Sequence, residues 1–104
     1  MKHEVILEVR DRLARELPDP AQIVRGTLLR RTIRHRRGCP KCQAGGGHPV
    51  WVLTVTYPGG KTRQFSLRSE QRAQVQRWVR NYQRLKKQLE AICELNHRLL
   101  RPAE

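Results

Sequence analysis

Between Asp19 and Glu70 this chain has no acidic residue. General acid–base chemistry in that segment has no carboxylate to work with, and no cluster of carboxylates can be assembled elsewhere. Aromatics are scarce as well: two Trp, two Tyr and one Phe in 104 residues. The core must therefore be thin, with most of those rings needed inside, so an aromatic stacking platform of the RNA-recognition type is not expected. No apolar run approaches the roughly 18 residues that span a bilayer, and the first residues lack a signal-peptide apolar stretch. Cysteine is limited to three residues, Cys39, Cys42 and Cys93. An odd number with two of them three apart argues against a disulfide scaffold and for a reducing, cytoplasmic setting.

Positive charge fills the gap. Positions 20–69 hold eight Arg and two Lys, and the whole chain carries a formal charge of +13. A surface that repels itself gains nothing structurally; it makes sense against a polyanion. Arg outnumbers Lys 17 to 5. The planar guanidinium engages phosphate oxygens in pairs and stacks on bases, which favours nucleic acid over a membrane surface. An arginine-rich coding bias is the plainer alternative.

Hydrophobic periodicity divides one domain, 1–104, into three parts. Residues 1–20 hold a helix, with Ile6, Val9, Leu13 and Leu17 on one face, ended by Pro18-Asp19-Pro20. Residues 21–68 form a basic three-stranded antiparallel sheet. Its first strand lies within 23–34, where Thr27, Leu29, Arg31 and Ile33 share a face. Its hairpin covers 50–67, with Trp51, Leu53, Val55 and Tyr57 alternating against Val50, Val52, Thr54 and Thr56. The turn is Pro58-Gly59-Gly60-Lys61, and Phe65 and Leu67 share a face on the return strand. Residues 69–101 form a long helix, with Ser69 as N-cap. The class is α+β.

The loop between the first two strands reads His35-Arg-Arg-Gly-Cys39-Pro-Lys-Cys42-Gln-Ala-Gly-Gly-Gly-His48. A Cys-x2-Cys turn places two thiolates within reach of one ion, His48 supplies a third ligand and His35 would complete a tetrahedron. The expectation is a structural zinc held by Cys39, Cys42, His48 and His35. A flexible glycine-rich loop with exposed thiols and a redox Cys-x2-Cys pair are the alternatives. Cys93 and His97, one helical turn apart, read as ordinary helix-flank residues.

Two features mark surfaces. Arg30, Arg31, Arg34, Arg36, Arg37 and Lys41 crowd the loop, with Lys61 and Arg63 at the hairpin. On the long helix Arg77, Arg80, Arg84 and Lys87 recur at helical spacing, and no acid lies between Gln71 and Leu89. All twelve are candidate phosphate contacts; a solvated helix face is the alternative. Opposite that stripe, Val75, Trp78, Tyr82, Leu85, Leu89, Ile92, Asn96 and Leu99 form an unbroken heptad seam. Leu85, Leu89, Ile92, Asn96 and Leu99 are the candidate dimer contacts. Cover of the seam by the N-terminal helix is the intramolecular alternative.

The segments Arg25-Gly-Thr-Leu-Leu-Arg-Arg-Thr-Ile-Arg-His, Val50-Trp-Val-Leu-Thr-Val-Thr-Tyr, Gly60-Lys-Thr-Arg and Val75-x2-Trp-Val-x-Asn-Tyr82 together resemble a small bacterial and archaeal family of unknown function. The resemblance covers roughly residues 23–100. It implies a cysteine-rich zinc-type loop, a β-hairpin and a long charged C-terminal helix; some members accompany mobile elements. The family cysteine at position 35 is His here, the family cysteine at position 40 is Pro with Cys39 beside it, and Cys42 and His48 match.

These readings converge on a non-catalytic, zinc-stabilised nucleic-acid-binding protein, DNA before RNA, nucleoid-associated in the cytoplasm. It would pair as a homodimer through the C-terminal helix, within a mobile-element or recombination nucleoprotein assembly. An RNA-binding accessory subunit and a coiled-coil adaptor for an acidic protein are the alternative readings.

Overall fold

The computed structural model describes residues 2–33 and 48–102. In chain order they form α1 (His3–Arg15), β1 (Thr27–Ile33), β2 (His48–Thr56), β3 (Thr62–Leu67), a 3-10 turn (Ser69–Gln71) and α2 (Arg72–Leu99). The expected α+β class holds: a short N-terminal helix, a three-stranded antiparallel sheet and a long C-terminal helix.

The chain divides into two compact units, residues 24–79 and residues 1–23 with 80–104. In the first unit the sheet order is β1-β2-β3. Register pairs Leu28 with Leu53 and Arg30 with Trp51 on one side of β2, and Phe65 with Leu53 and Leu67 with Trp51 on the other. Directly paired residues point to the same face of a sheet. One face thus gathers Leu28, Arg30, Trp51, Leu53, Val55, Tyr57, Arg63, Phe65 and Leu67. The opposite face carries Arg31, Val52, Thr54, Thr56, Thr62, Gln64 and Ser66. Val52, Leu53 and Val55, all on the central strand, are this unit's buried side chains.

Two glycines make the hairpin possible. Gly59 and Gly60 adopt φ of +88° and +86°, a region that costs other residues energy, and Tyr57 and Lys61 close the turn through Tyr57 N–H to Lys61 O at 2.6 Å. The first strand begins at Thr27 rather than at position 23. Gly26, at φ +145°, interrupts the extended run, and the Val24 N–H turns instead to the Trp78 carbonyl at 3.2 Å.

The second unit pairs α1 with the C-terminal turns of α2. Arg10 Nη1 donates to Asn96 Oδ1 at 3.3 Å and Gln88 Nε2 to the carbonyl of the α1 cap residue Glu16 at 3.5 Å, so the two helices run antiparallel; the segment after α1 is held by Asn81 Nδ2 donating to Gln22 O at 2.9 Å. Ile6 and Leu95 are its buried side chains. α1 stops at Arg15, short of Leu17, because Pro18 disfavours helical backbone at the residue before it. Glu16 N–H closes the last turn on Arg12 O and Leu13 O.

Ser69 is not the N-cap of the long helix. It opens the 3-10 turn, where the Gln71 side chain accepts from the Arg68 N–H at 3.0 Å and Gln71 N–H bonds Arg68 O at 2.9 Å. The glutamine reaches back to the N–H of the cap residue, the part a Glu or Gln three residues into the turn plays in a capping box. Among the described residues no helix is long and apolar enough to cross a membrane.

Candidate nucleic-acid interface

The hairpin end of the sheet assembles a group of cations around one aromatic ring. Tyr57, the residue that follows β2, carries the Arg25 guanidinium 5.2 Å from its ring centroid and that of Arg63 at 5.9 Å. Arg25 also donates from Nη1 to the Thr56 carbonyl at 2.5 Å, so its head group is held from two sides. Attraction to the ring quadrupole aligns the guanidinium planes while leaving their outer N–H groups in water. Lys61 joins them around a small concavity of about 270 Å³ lined by Tyr57, Lys61 and Arg63.

Beside this cluster the sheet face opens into a groove of about 430 Å³, lined by Val24, Arg25, Leu53, Val55, Tyr57, Phe65 and Leu67. Its floor is apolar, and no acidic side chain among the described residues lines it. Tyr57 is 37 % exposed and Phe65 44 %. Two of the five rings thus lie at the surface, on one face, while Trp51, Trp78 and Tyr82 are half-buried. The signal is present in the alternation, which stacks an apolar row on the face of Trp51 and a threonine-rich row on the other. At the far end of the same face the Arg72 guanidinium lies 4.5 Å from the Trp51 ring centroid. Sequence reasoning alone singles out neither Arg25 nor Arg72.

Arg30 and Arg31 do not act as a pair. Arg30 shares the face of Trp51, while Arg31 shares that of Val50. With the Gln64 amide oxygen turned toward it, Arg31 donates to that oxygen at 3.0 and 3.2 Å. Lys61 and Arg63 are exposed at the hairpin, and Arg77, Arg80, Arg84 and Lys87 are all exposed along α2. Arg34, Arg36, Arg37 and Lys41 lie outside the described residues. Among the described residues the ion pairs are Arg10–Asp11 at 3.0 Å, Arg68–Glu70 at 3.1 Å and His97–Glu94 at 3.7 Å, the last only with a protonated imidazole. None involves a candidate phosphate contact.

The heptad seam turns inward at most of its expected positions but not at two of them. Leu85, Ile92 and Leu99 are half-buried, but Leu89 is 47 % exposed and Asn96 is exposed, its amide bonded to Arg10. Gln88 and Leu95 turn inward in place of Leu89 and Asn96, while Leu85, Ile92 and Leu99 keep their inward positions. Leu95 gains apolar contact there; Gln88 donates from Nε2 to the Glu16 carbonyl, and its own amide oxygen is buried without a hydrogen-bond partner among the described residues.

The expected zinc ion is corrected. Among the described residues, no three His, Cys, Asp or Glu side chains gather into a group able to hold a metal. His48 opens β2 opposite Ile33, while His35, Cys39 and Cys42 lie outside the described residues. Cys93 is a free, exposed thiol. A structural metal needs three or four ligands converging on one point, and the described part of the chain brings none together.

The fold and the site define a small α+β protein whose sheet carries exposed cations and rings on one face. The chain belongs to the family described as a domain of unknown function (DUF6788), whose model matches residues 3–77. That span includes α1, which lies outside the resemblance over residues 23–100, and stops before the C-terminal turns of α2. No curated protein and no solved structure matches the chain.

Proposed function

We propose that this is a non-catalytic nucleic-acid-binding protein whose preferred partner is DNA. The observation that carries the reading is the unspent positive charge. Positions 20–69 contain no acid, and Arg25, Arg30, Lys61, Arg63, Arg77, Arg80, Arg84 and Lys87 form no ion pair among the described residues. Holding like charges together without counter-charges costs stability, and a phosphate chain removes that cost by displacing its own counterions.

Arginine at most of these positions supports the same reading, because its fork meets phosphate oxygens with two parallel bonds. Arg25 and Arg63 are pre-aligned on Tyr57, so less side-chain freedom is lost when they engage a ligand. The setting we propose is an accessory factor of a recombination or mobile-element assembly, a suggestion that rests on the resemblance alone.

Gel shifts across a salt series, with duplex DNA and with structured RNA, test the proposal. Steep weakening with salt on DNA supports it. Preference for structured RNA would turn the reading toward a ribonucleoprotein subunit. Binding to neither would refute it and leave an acidic protein as the partner.

A further inference from the structure

From the groove on the sheet face we infer a more specific ligand, resting on the reading above: an unpaired base of single-stranded DNA, stacked on Phe65, with its phosphate held by Arg63 and Arg25. Phe65 is 44 % exposed, and none of the cation–ring contacts among the described residues involves its ring. Tyr57 already carries two guanidinium groups, 5.2 and 5.9 Å from its centroid, and serves as their support. The platform for a base is therefore the phenyl ring, and the anchor for a phosphate is the cluster around the tyrosine.

Spacing agrees with that division. Arg63 and Phe65 are two residues apart on β3, on one face, which places them roughly 7 Å apart along the strand. One nucleotide reaches from its base to its phosphate over such a span. The cavity, about 430 Å³, is large enough to take a base. Duplex DNA offers no free base face, so this groove distinguishes unpaired from paired strands.

The floor decides between the two sugars. Val24, Leu53, Val55 and Leu67 present only hydrocarbon. A ribose 2′-hydroxyl buried against them would lose its water without gaining a partner, whereas deoxyribose loses nothing. Among the described residues no carboxylate lines the groove to repel the phosphate.

The test is fluorescence anisotropy on the full chain with labelled oligothymidylate about 12 nucleotides long, the matching RNA, and a duplex of the same length. Phe65→Leu keeps apolar bulk but removes the flat π-face; Phe65→Trp enlarges it. Thermal melts confirm that both variants fold. Phe65→Leu should weaken single-stranded DNA by roughly tenfold, Phe65→Trp should bind at least as tightly as the parent, and duplex binding should stay within about twofold. Unchanged single-strand affinity in Phe65→Leu, equal loss on duplex, or equal binding of the RNA would overturn the inference while leaving charge-driven binding intact. Failure of the parent chain to bind any nucleic acid in dilute salt would overturn both.

Discussion

Arg25 is bound to a single corner of the sheet in two ways: its guanidinium lies 5.2 Å from the centroid of Tyr57 and its Nη1 donates to the carbonyl of the preceding Thr56. The arginine at once closes the hairpin end and presents its remaining donors outward. Substituting Arg25→Ala removes one exposed cation–π contact and one charged hydrogen bond, for a stability loss of about 1 kcal/mol. Arg25→Lys should recover part of it, since an ammonium keeps the charge without the planar fork. Urea denaturation of the three proteins measures this; equal midpoints for all would show that the arginine is not held.

Leu95 and Leu89 offer a direct test of where the helix face points. Leu95 is buried and Leu89 is 47 % exposed, although the heptad spacing favours Leu89. Leu95→Ala should cost about 2–4 kcal/mol and Leu89→Ala well under about 1 kcal/mol, read from denaturation midpoints. The reverse order would restore the seam as the sequence draws it.

Gly26 has no room for a side chain. A Cβ there would stand 2.8 Å from Leu53 Cδ1 and 2.9 Å from the Thr54 carbonyl oxygen, on a backbone with φ of +145°. The carbonyl belongs to the central strand and has little freedom to retreat. Gly26→Ala should therefore destabilise by about 1–3 kcal/mol, whereas alanine at Gly59, which meets nothing within 4 Å, costs only the backbone conformation. Melting temperatures of the two variants check the ranking.

The helix stripe predicts a change in slope rather than in specificity. Replacing Arg77, Arg80, Arg84 and Lys87 by glutamine should weaken DNA binding about equally across sequences. It should also reduce the slope of log K against log salt by roughly one for each of these cations that meets a phosphate. An unchanged slope would assign the stripe to solvent.

Much of the fold was legible because short-range rules govern it. Alternation from Val50 to Thr56 and the Pro58-Gly59-Gly60 turn specify a hairpin by themselves, and β2 and β3 stand where they place them. The prolines on either side of Asp19 end α1 for the same local reason. The long helix was legible in type but not in facing. A heptad count cannot distinguish Asn96 from Leu95 as the inward residue, since both are within reach of the face; the N-terminal helix and its cap meet the long helix through Arg10 and Glu16. The cation–aromatic cluster was hidden for another reason. Arg25 and Tyr57 are far apart in sequence, and only the pairing of β1 with β2 brings the start of one beside the end of the other. A count of rings says that most are needed inside but not which ones, and burial depends on what covers a face.

The most direct measurement is the affinity of the intact chain for DNA as a function of salt. If unpaired arginines grip phosphate, binding is tight in dilute buffer and log K falls linearly with log salt, with a slope of several units. Flat dependence, or no complex even at the lowest salt, would mean that the positive charge of this chain serves something other than a nucleic acid.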